Sequence, residues 1–558
     1  MQYKGPIRAV NLLIRDFIDN SKSCCQESRS ARLAKTKLAA KFEESTSRHS
    51  AERRSAAWQR WIDFDAGLPR GGLLGPHWAK ARLIVHDALK NFHLGALTFT
   101  NGSSFEPLGD KTSIACKLSG TWTITDDCFE LFANYSYWHR ALKHSVKKRF
   151  TSYCTQHGLR EKDMNNKLWT RFSKTKRPGF EVYKFKLFCV TTIVGGNRWS
   201  SVPKNNLKDR PICLEPLCNM LVQRAIGLGV RKCLKDAFGI DLDVLADMHK
   251  RRISDRNVAT IDLSDCSDAI SMRLVKYLLP YKIFDKISSS RSFLTLGPDG
   301  DYYIPYKVSS MGNGFTFDLM TLILMALTRV FDQTSSVFGD DIICQNQYAN
   351  DIIETLQIAG FVINKEKSFV NSDYRESCGS HYIDGYGYVT VFDLRWITEP
   401  HELIVACNKV SILSSIYGEP FESLRAAIWA CVPRPLLGAT VDRPAEHMGR
   451  PPSYELDTYI RYGPTIQVDP KRNVLKLIRR SCSNYQKSGR ISVALAFVTT
   501  QLPARTSLDS CHWDRYYQYL HDVRKTRKFK RLVNKSTLVA RVDKEQIGLV
   551  VSLLPVRE

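Results

Sequence analysis

The chain has 558 residues, 43% of them hydrophobic, with 81 Lys or Arg against 56 Asp or Glu and a formal net charge of +25. That length suits several domain-sized cores or one large multi-lobed enzyme, and the charge excess points to a polyanion, nucleic acid ahead of an anionic membrane surface. A membrane-spanning protein is excluded as an expectation, because the longest apolar run, Leu319 to Leu327, is far short of the ~20 residues a span needs. The N-terminal M-Q-Y-K-G-P-I-R-A-V has no signal-peptide core, so a cytosolic protein is expected. The 16 Cys are scattered without a C-x-x-C pair or zinc spacing, which reads as reduced core thiols; Cys213 with Cys218 is the nearest approach to a ligand pair, and Cys24 and Cys25 are adjacent.

In chain order, residues 1 to about 65 combine helix formers with positive charge. Leu33, Ala34, Leu38 and Phe42 fall at near-helical spacing and predict an amphipathic helix with a basic outer face. The turn-rich L-P-R-G-G-L-L-G-P, Leu68 to Pro76, marks a sub-domain boundary. Lys117 to Ile124 and Glu181 to Thr192 read as strands. Between them, Lys143 to Arg177 carries eleven Lys or Arg against two acids, interleaved with Phe150, Tyr153, Trp169 and Phe172, a mixture that suits a single-stranded nucleic acid and equally suits an ordinary core with a solvated face.

From about 200 to 395 the motifs are dense. A-T-I-D-L, Ala259 to Leu263, reads as a strand carrying Asp262, followed by a helix with Ser267 or Asp268 as N-cap. S-S-M-G-N-G-F-T-F-D-L-M begins with a Gly-rich loop around Asn313 and runs into a helix apolar nearly all round. S-V-F-G-D-D-I-I-C, Ser336 to Cys344, reads as two short strands joined at Gly339, with Asp340 and Asp341 at the tip. Asp351 to Ala359 then predicts a helix stopped by Gly360, and Phe361 to Phe369 a strand and turn bearing Lys365 and Lys367. A lone Gly-Asp-Asp is as a rule an exposed turn. Here the order of elements builds an α+β fold with an antiparallel sheet on helices, which can bring Asp262 beside the hairpin tip, and carboxylates from two strands are a ligand set for the two Mg2+ of phosphoryl transfer. After 395 no chemistry is legible, and Arg524 to Lys535 holds seven basic residues and no acid.

The set I-D-L-S-x-x-S-D, S-S-M-G-N-G-F-T-F, F-G-D-D-I-I, F-x-x-N-x-x-K-S-F and R-E-S-C-G-S-H-Y resembles the palm motifs of viral RNA-dependent RNA polymerases, and in particular the replicase beta subunit of the leviviruses, single-stranded RNA bacteriophages. V-P-K-N-N-L-K-D-R-P-I, Val202 to Ile212, is similar to that family's fingers motif, and Gly297 to Gly300 also fits. The resemblance implies a right-hand architecture: residues 1–249 as N-terminal region and fingers, with the basic motif at 202–212; 250–395 as palm; and 396–558 as thumb and basic C-terminal region. It implies Asp262, Asp340 and Asp341 as ligands of two Mg2+, with Mn2+ as a substitute, and Lys367 as general acid toward pyrophosphate. Lys204, Lys208 and Arg210 would hold the triphosphate, while Ser267, Asp268 and Asn313 would lie near the ribose. Arg375 to Tyr382 would support the end of the growing strand. The implied activity is RNA-directed RNA synthesis from ribonucleoside triphosphates on a single-stranded RNA template, in the cytoplasm of an infected bacterium. The implied partners are host elongation factors Tu and Ts and a ribosomal protein. A reverse transcriptase-like enzyme and a non-catalytic RNA-binding scaffold are the alternatives. The chain departs from the family pattern at Leu207, which stands where a lysine is expected so that Lys208 is displaced by one place, at Asp265, where a small neutral residue is expected, and at F-D-L-M, which lacks a second acid.

Overall fold

The computed structural model describes residues 4–19, 28–42, 47–99, 103–106, 117, 120–204, 208–398, 400–419 and 421–431. Cys24, Cys25 and the basic run Arg524 to Lys535 lie outside them. The described residues are α+β, in two compact units: one holds those up to 46 and from 390 on, the other is 47–389. Helices α1 (Lys4–Asp19) and α2 (Arg29–Ala39) open the first unit. Ser28 caps α2 by accepting the Ala31 N–H at 3.2 Å, and Ala34 and Leu38 bury the apolar face expected there.

The second unit begins with α3 (Ser47–Ala66) and α4 (Pro76–Ala88). Leu68 to Pro76 therefore joins two helices of one unit, where the sequence suggested a boundary. Strand β1 is only Trp122–Ile124, followed by α5 (Asp126–Trp138), α6 (Arg140–Gln156), α7 (Glu161–Phe172) and α8 (Pro178–Val190). The strand expected at Glu181 to Thr192 is thus mostly helix. The alternation of V-Y-K-F-K-L-F imitates a strand, but Pro178 starts a helix and Phe180, Tyr183 and Leu187 bury one helical face. Phe150 is core, whereas Trp169 is half exposed.

Strands β2 (Thr191–Ile193), β3 (Gly196–Pro203) and β4 (Asp209–Leu214) lead to α9 (Leu217–Phe238), closed by Gly239 at φ 69°, and α10 (Leu245–Arg252). Next come β5 (Val258–Ser264), a tight turn at Cys266–Ala269, α11 (Met272–Leu278), α12 (Tyr281–Ser290), β6 (Leu294–Leu296) and β7 (Tyr302–Tyr303). The cap of α11 is Ser271, which accepts the Leu274 N–H at 3.3 Å, and not Ser267 or Asp268: Asp268 is turned inward. Helix α13 (Thr316–Arg329) is buried on nearly every side, as its sequence predicts. It feeds β8 (Ser336–Phe338) and β9 (Asp341–Gln345), then α14 (Ala349–Ala359), ended by Gly360 at φ 105°, and β10 (Val362–Ile363). Strands β11 (Tyr374–Ser377), β12 (Ser380–Ile383) and β13 (Gly387–Val389) complete the unit.

The central sheet has the order β10-β5-β9-β8, with each strand antiparallel to its neighbour, and its core residues Ala259, Ile261 and Ile342 join those of α4, α9 and α13 in one apolar cluster. A second sheet, β4-β3-β6-β7, carries the basic strands of 202–212, and a third, β11-β12-β13, follows the central sheet in the chain. The first unit is completed by α15 (Pro400–Tyr417) and α16 (Phe421–Cys431), which pack with α1 and α2 around Val10, Ile14, Leu38, Val410 and Phe421. Among the described residues no helix is long and apolar enough to cross a membrane.

Candidate active site

Register, not proximity in sequence, assembles the acids. In the β5–β9 ladder Asp262 lies directly opposite Asp341, and Asp341 also pairs with Phe338 across the β8–β9 hairpin. Gly339 makes the turn at φ 63°, where a side chain is strained, and a Cβ there would stand 2.6 Å from Cε2 of Phe317. The Gly339 N–H donates to Thr321 Oγ1 of α13 at 3.1 Å, so the hairpin tip is tied to the most buried helix. Asp340 projects from the tip and is exposed.

Each inner acid is held by hydrogen bonds from a neighbouring motif. Asn364 Nδ2 donates to Asp262 Oδ2 at 2.6 Å, and Ser368 Oγ accepts the Asp262 N–H at 3.1 Å. Asp341 Oδ1 accepts the Cys378 N–H at 3.1 Å and the Ser377 hydroxyl at 3.4 Å. Among the described residues no donor meets Oδ1 of Asp262, and the Cys378 side chain is a further hydrogen-bond partner of Asp341. Burial raises the Asp341 carboxyl from 3.8 to about 6, opposed by the Cys378 N–H and reinforced by the charges of Asp340 and Asp262. Burial also raises Asp262, with Lys367 and Asn364 opposing and Asp340 and Glu376 adding to it. Hard oxygen donors that repel one another suit a small divalent cation. Among the described residues no three such side chains stand close enough to enclose one.

Cations border the acids. Burial lowers the Lys204 pKa, Asp265 opposes it, Arg210 and Lys367 lower it further and Asp262 raises it, so the basic hairpin and the acids share one field. Asp265, in the left-handed region at φ 47°, acts on Lys204 and on Asp268. Lys367 is exposed, and its N–H closes a turn onto Asn364 O at 3.1 Å. Lys208 is also exposed, and its carbonyl accepts the Lys204 N–H at 3.0 Å.

The three residues expected at the ribose fall in one turn region. Asp268 is buried, accepts the Ser310 hydroxyl at 2.9 Å and lies 3.3 Å from Lys307 Nζ. Burial raises its carboxyl and Lys307 opposes this. Asn313 is 8% exposed, and its Oδ1 accepts the Phe315 N–H at 3.2 Å. Ser267 contributes its carbonyl, which accepts from Ser309 Oγ at 3.2 Å. Asp318, in the F-D-L-M departure, is a structural acid, bound to Arg231 Nε of α9 at 2.8 Å. Arg375 is wholly buried: its Nε donates to Ile253 O at 2.7 Å, and it also pairs with Asp384. It braces the β11–β12 hairpin, whose left-handed turn at Cys378 and Gly379 aims a backbone N–H at Asp341.

Sequence reasoning missed Asn364, Ser368, Cys378, Ser310 and Lys307 as partners of the acids. Asn364 and Ser368 stand in the quoted F-x-x-N-x-x-K-S-F, and Cys378 in R-E-S-C-G-S-H-Y, so their position beside charged motif residues was the available signal.

Fold and site together define an α+β protein built around an acidic cluster on a helix-backed antiparallel sheet, with cations along one border. The chain belongs to the RNA replicase beta-chain family, whose family model matches residues 98–420. It is similar to the RNA-directed RNA polymerase beta chain of Enterobacteria phage fr, 35% identical over 273 residues, 47% of this chain and 48% of that one. It is also similar to the RNA-directed RNA polymerase subunit beta of Enterobacteria phage SP, 32% identical over 322 residues, 56% of this chain and 50% of that one. The matched region thus spans about half the length of these relatives. Among solved structures, the RNA-dependent RNA polymerase of a human picorbirnavirus is similar at a TM-score of 0.33 and 14% identity, covering 48% of this chain and 59% of that one.

Proposed function

We propose that the chain is an RNA-directed RNA polymerase that copies a single-stranded RNA phage genome from ribonucleoside triphosphates. The observation that carries this reading is the register pairing of Asp262 with Asp341, Asp340 beside them, under a border of Lys204, Arg210 and Lys367. Asp262, Asp340 and Asp341 are the residues that would hold two Mg2+ or Mn2+. When bound, the metal would supply activation of the attacking 3'-hydroxyl and neutralisation of the pyrophosphate charge.

The remaining work belongs to the chain itself. Lys204 and Arg210 bind the triphosphate, with Lys208 opposite Lys204 where the strands meet the turn; Lys204, already desolvated, gains a phosphate partner at little further cost. Lys367 offers a proton to the leaving oxygen. Ser267, Asp268 and Asn313 read the ribose, and the β11–β12 hairpin supports the growing strand. Residues 1–249, 250–395 and 396–558 serve as fingers, palm and thumb, in the cytoplasm of a bacterial host, with translation elongation factors Tu and Ts and a ribosomal protein as partners.

The test is primer extension by the Asp340→Asn variant. Elongation is expected to fall at least about a hundredfold with RNA binding unchanged, and unimpaired elongation would remove Asp340 from the chemistry. Preference for dNTPs on an RNA template would instead favour a reverse transcriptase, and metal-independent RNA binding without synthesis a scaffold.

A further inference from the structure

Lysine is seldom fully buried unless paired, yet Lys307 is only 2% exposed. Its ammonium group stands 3.3 Å from Asp268 Oδ1, donates to the Trp61 carbonyl at 3.0 Å and lies 3.9 Å from the centroid of the Trp61 ring. Its backbone is fixed as well. The Lys307 N–H donates to Asp65 Oδ1 at 2.8 Å, and its carbonyl accepts Arg291 Nη1 at 3.1 Å. Asp65 is itself buried, and its other oxygen accepts the Tyr306 N–H and the Tyr303 hydroxyl. Trp61 and Asp65 are one helical turn apart on α3, so a helix of the N-terminal region anchors a residue of the loop before Asn313.

The contacts on Asp268 are one-sided. Ser310 Oγ, which accepts the Trp61 indole N–H at 3.3 Å, and Lys307 Nζ both meet Oδ1. Among the described residues no donor meets Oδ2. A desolvated carboxylate with no cation beside it takes up a proton and becomes a donor, and it is free to rotate. With Oδ1 pinned by a cation and a hydroxyl, Oδ2 stays an acceptor of set direction, which is what a ribose 2'-hydroxyl, a donor, requires. The same helix reaches the triphosphate hairpin: Arg60 Nη2 donates to Asp209 O at 2.7 Å, next to Arg210.

We propose that Lys307, held by Trp61 and Asp65 of α3, is the positioning residue that keeps Asp268 an oriented acceptor and so sets the discrimination between ribonucleotides and deoxyribonucleotides. This rests on the reading of Asp268 as a ribose-sensing residue, and the experiment separates the two. Single-nucleotide addition of ATP and of dATP opposite U on a primed RNA template gives kcat/KM for each sugar, and their ratio is the readout.

Asp268→Asn tests the underlying reading, because its amide oxygen would turn to Lys307 and Ser310 and leave an NH2 at the sugar. An unchanged ratio there overturns the ribose role of Asp268. Lys307→Gln keeps a donor for the Trp61 carbonyl but removes the charge. Its ATP to dATP ratio is expected to fall about tenfold, through loss of ATP use rather than a general loss on both sugars. Asp268→Asn with Lys307→Gln should show no further fall beyond Asp268→Asn alone, since the two act through one carboxylate. A Lys307→Gln ratio equal to the parent's, with Asp268→Asn altered, overturns the role of Lys307 alone. If Lys307→Gln does not fold, Ser310→Ala, which removes the second donor to Oδ1, decides. A ratio lowered about threefold supports the proposal, and an unchanged ratio, with Asp268→Asn altered, overturns the orientation of Asp268 through its Oδ1 partners.

Discussion

Asp341→Asn should make the metal-free protein more stable at neutral pH while abolishing synthesis. The Asp341 carboxyl titrates at about 6 in the fold against 3.8 when unperturbed. The folded state therefore binds more protons than the unfolded state between those values, and stability falls as pH rises through that window. The gap corresponds to about 3 kcal/mol at neutral pH if taken whole, and to about 1–2 kcal/mol after allowance for the partial exposure of the group. An asparagine keeps an oxygen for the Cys378 N–H and the Ser377 hydroxyl, so the fold loses little else. Thermal melts in EDTA should place the variant roughly 3 °C above the parent at about pH 7.5, with the gain reduced near pH 5, where the parent carboxyl is largely protonated. Mg2+ should raise the melting temperature of the parent and not that of the variant. A variant less stable than the parent at neutral pH, or a gain equal at both pH values, would refute the electrostatic account.

Two further perturbations probe the scaffold. Gly339→Ala puts a Cβ 2.6 Å from a Phe317 ring that is already packed at 5.0 Å on Phe338, and adds a left-handed backbone penalty of about 1–2 kcal/mol. Urea unfolding should show a loss of about 2–3 kcal/mol with synthesis falling more than tenfold, and a wild-type profile would mean that the turn relaxes freely. Arg231→Met leaves Asp318 buried without its ion-pair partner and with only the field of Arg224, a loss of about 3 kcal/mol, most of which should return when Asp318→Leu is added; a double variant as unstable as the single would show that the pair is not the cause.

What was legible in the chain follows from how local each cause is. The Gly339 turn, the apolar α13 and the stop at Gly360 are written in neighbouring residues, and their structures agree with that reading. That Asp262 and the hairpin share a sheet was legible from the order of elements, and the register of Asp262 with Asp341 agrees with it. Misreadings arose where a second segment decides. Helix α8 alternates like a strand until Phe180, Tyr183 and Leu187 find a core to bury in. Asp268 looks like a helix cap because its partners, Lys307 and Ser310, are about forty residues away and their support, Trp61, is in another helix entirely. No periodicity within a window of one element can reveal such a pair.

The acids themselves separate into two kinds by what the chain gives them. Asp268 receives a buried ammonium group and a hydroxyl on one oxygen, so its charge is balanced from within. Asp262 and Asp341 receive only neutral donors, an amide, a hydroxyl, a thiol and a backbone N–H, and among the described residues no Lys, Arg or His makes an ion pair with either of them or with Asp340. Burial and mutual repulsion then raise both inner carboxyls. A chain that can bury a lysine against Asp268 could equally have buried one against Asp262. That it gives Asp262 only the field of the exposed Lys367 and no ion pair, on strands fixed by Gly339 and α13, is what a site requires whose balancing cation comes from outside the polypeptide. Asp268, balanced internally, has no need of such a cation and remains available to a neutral hydroxyl.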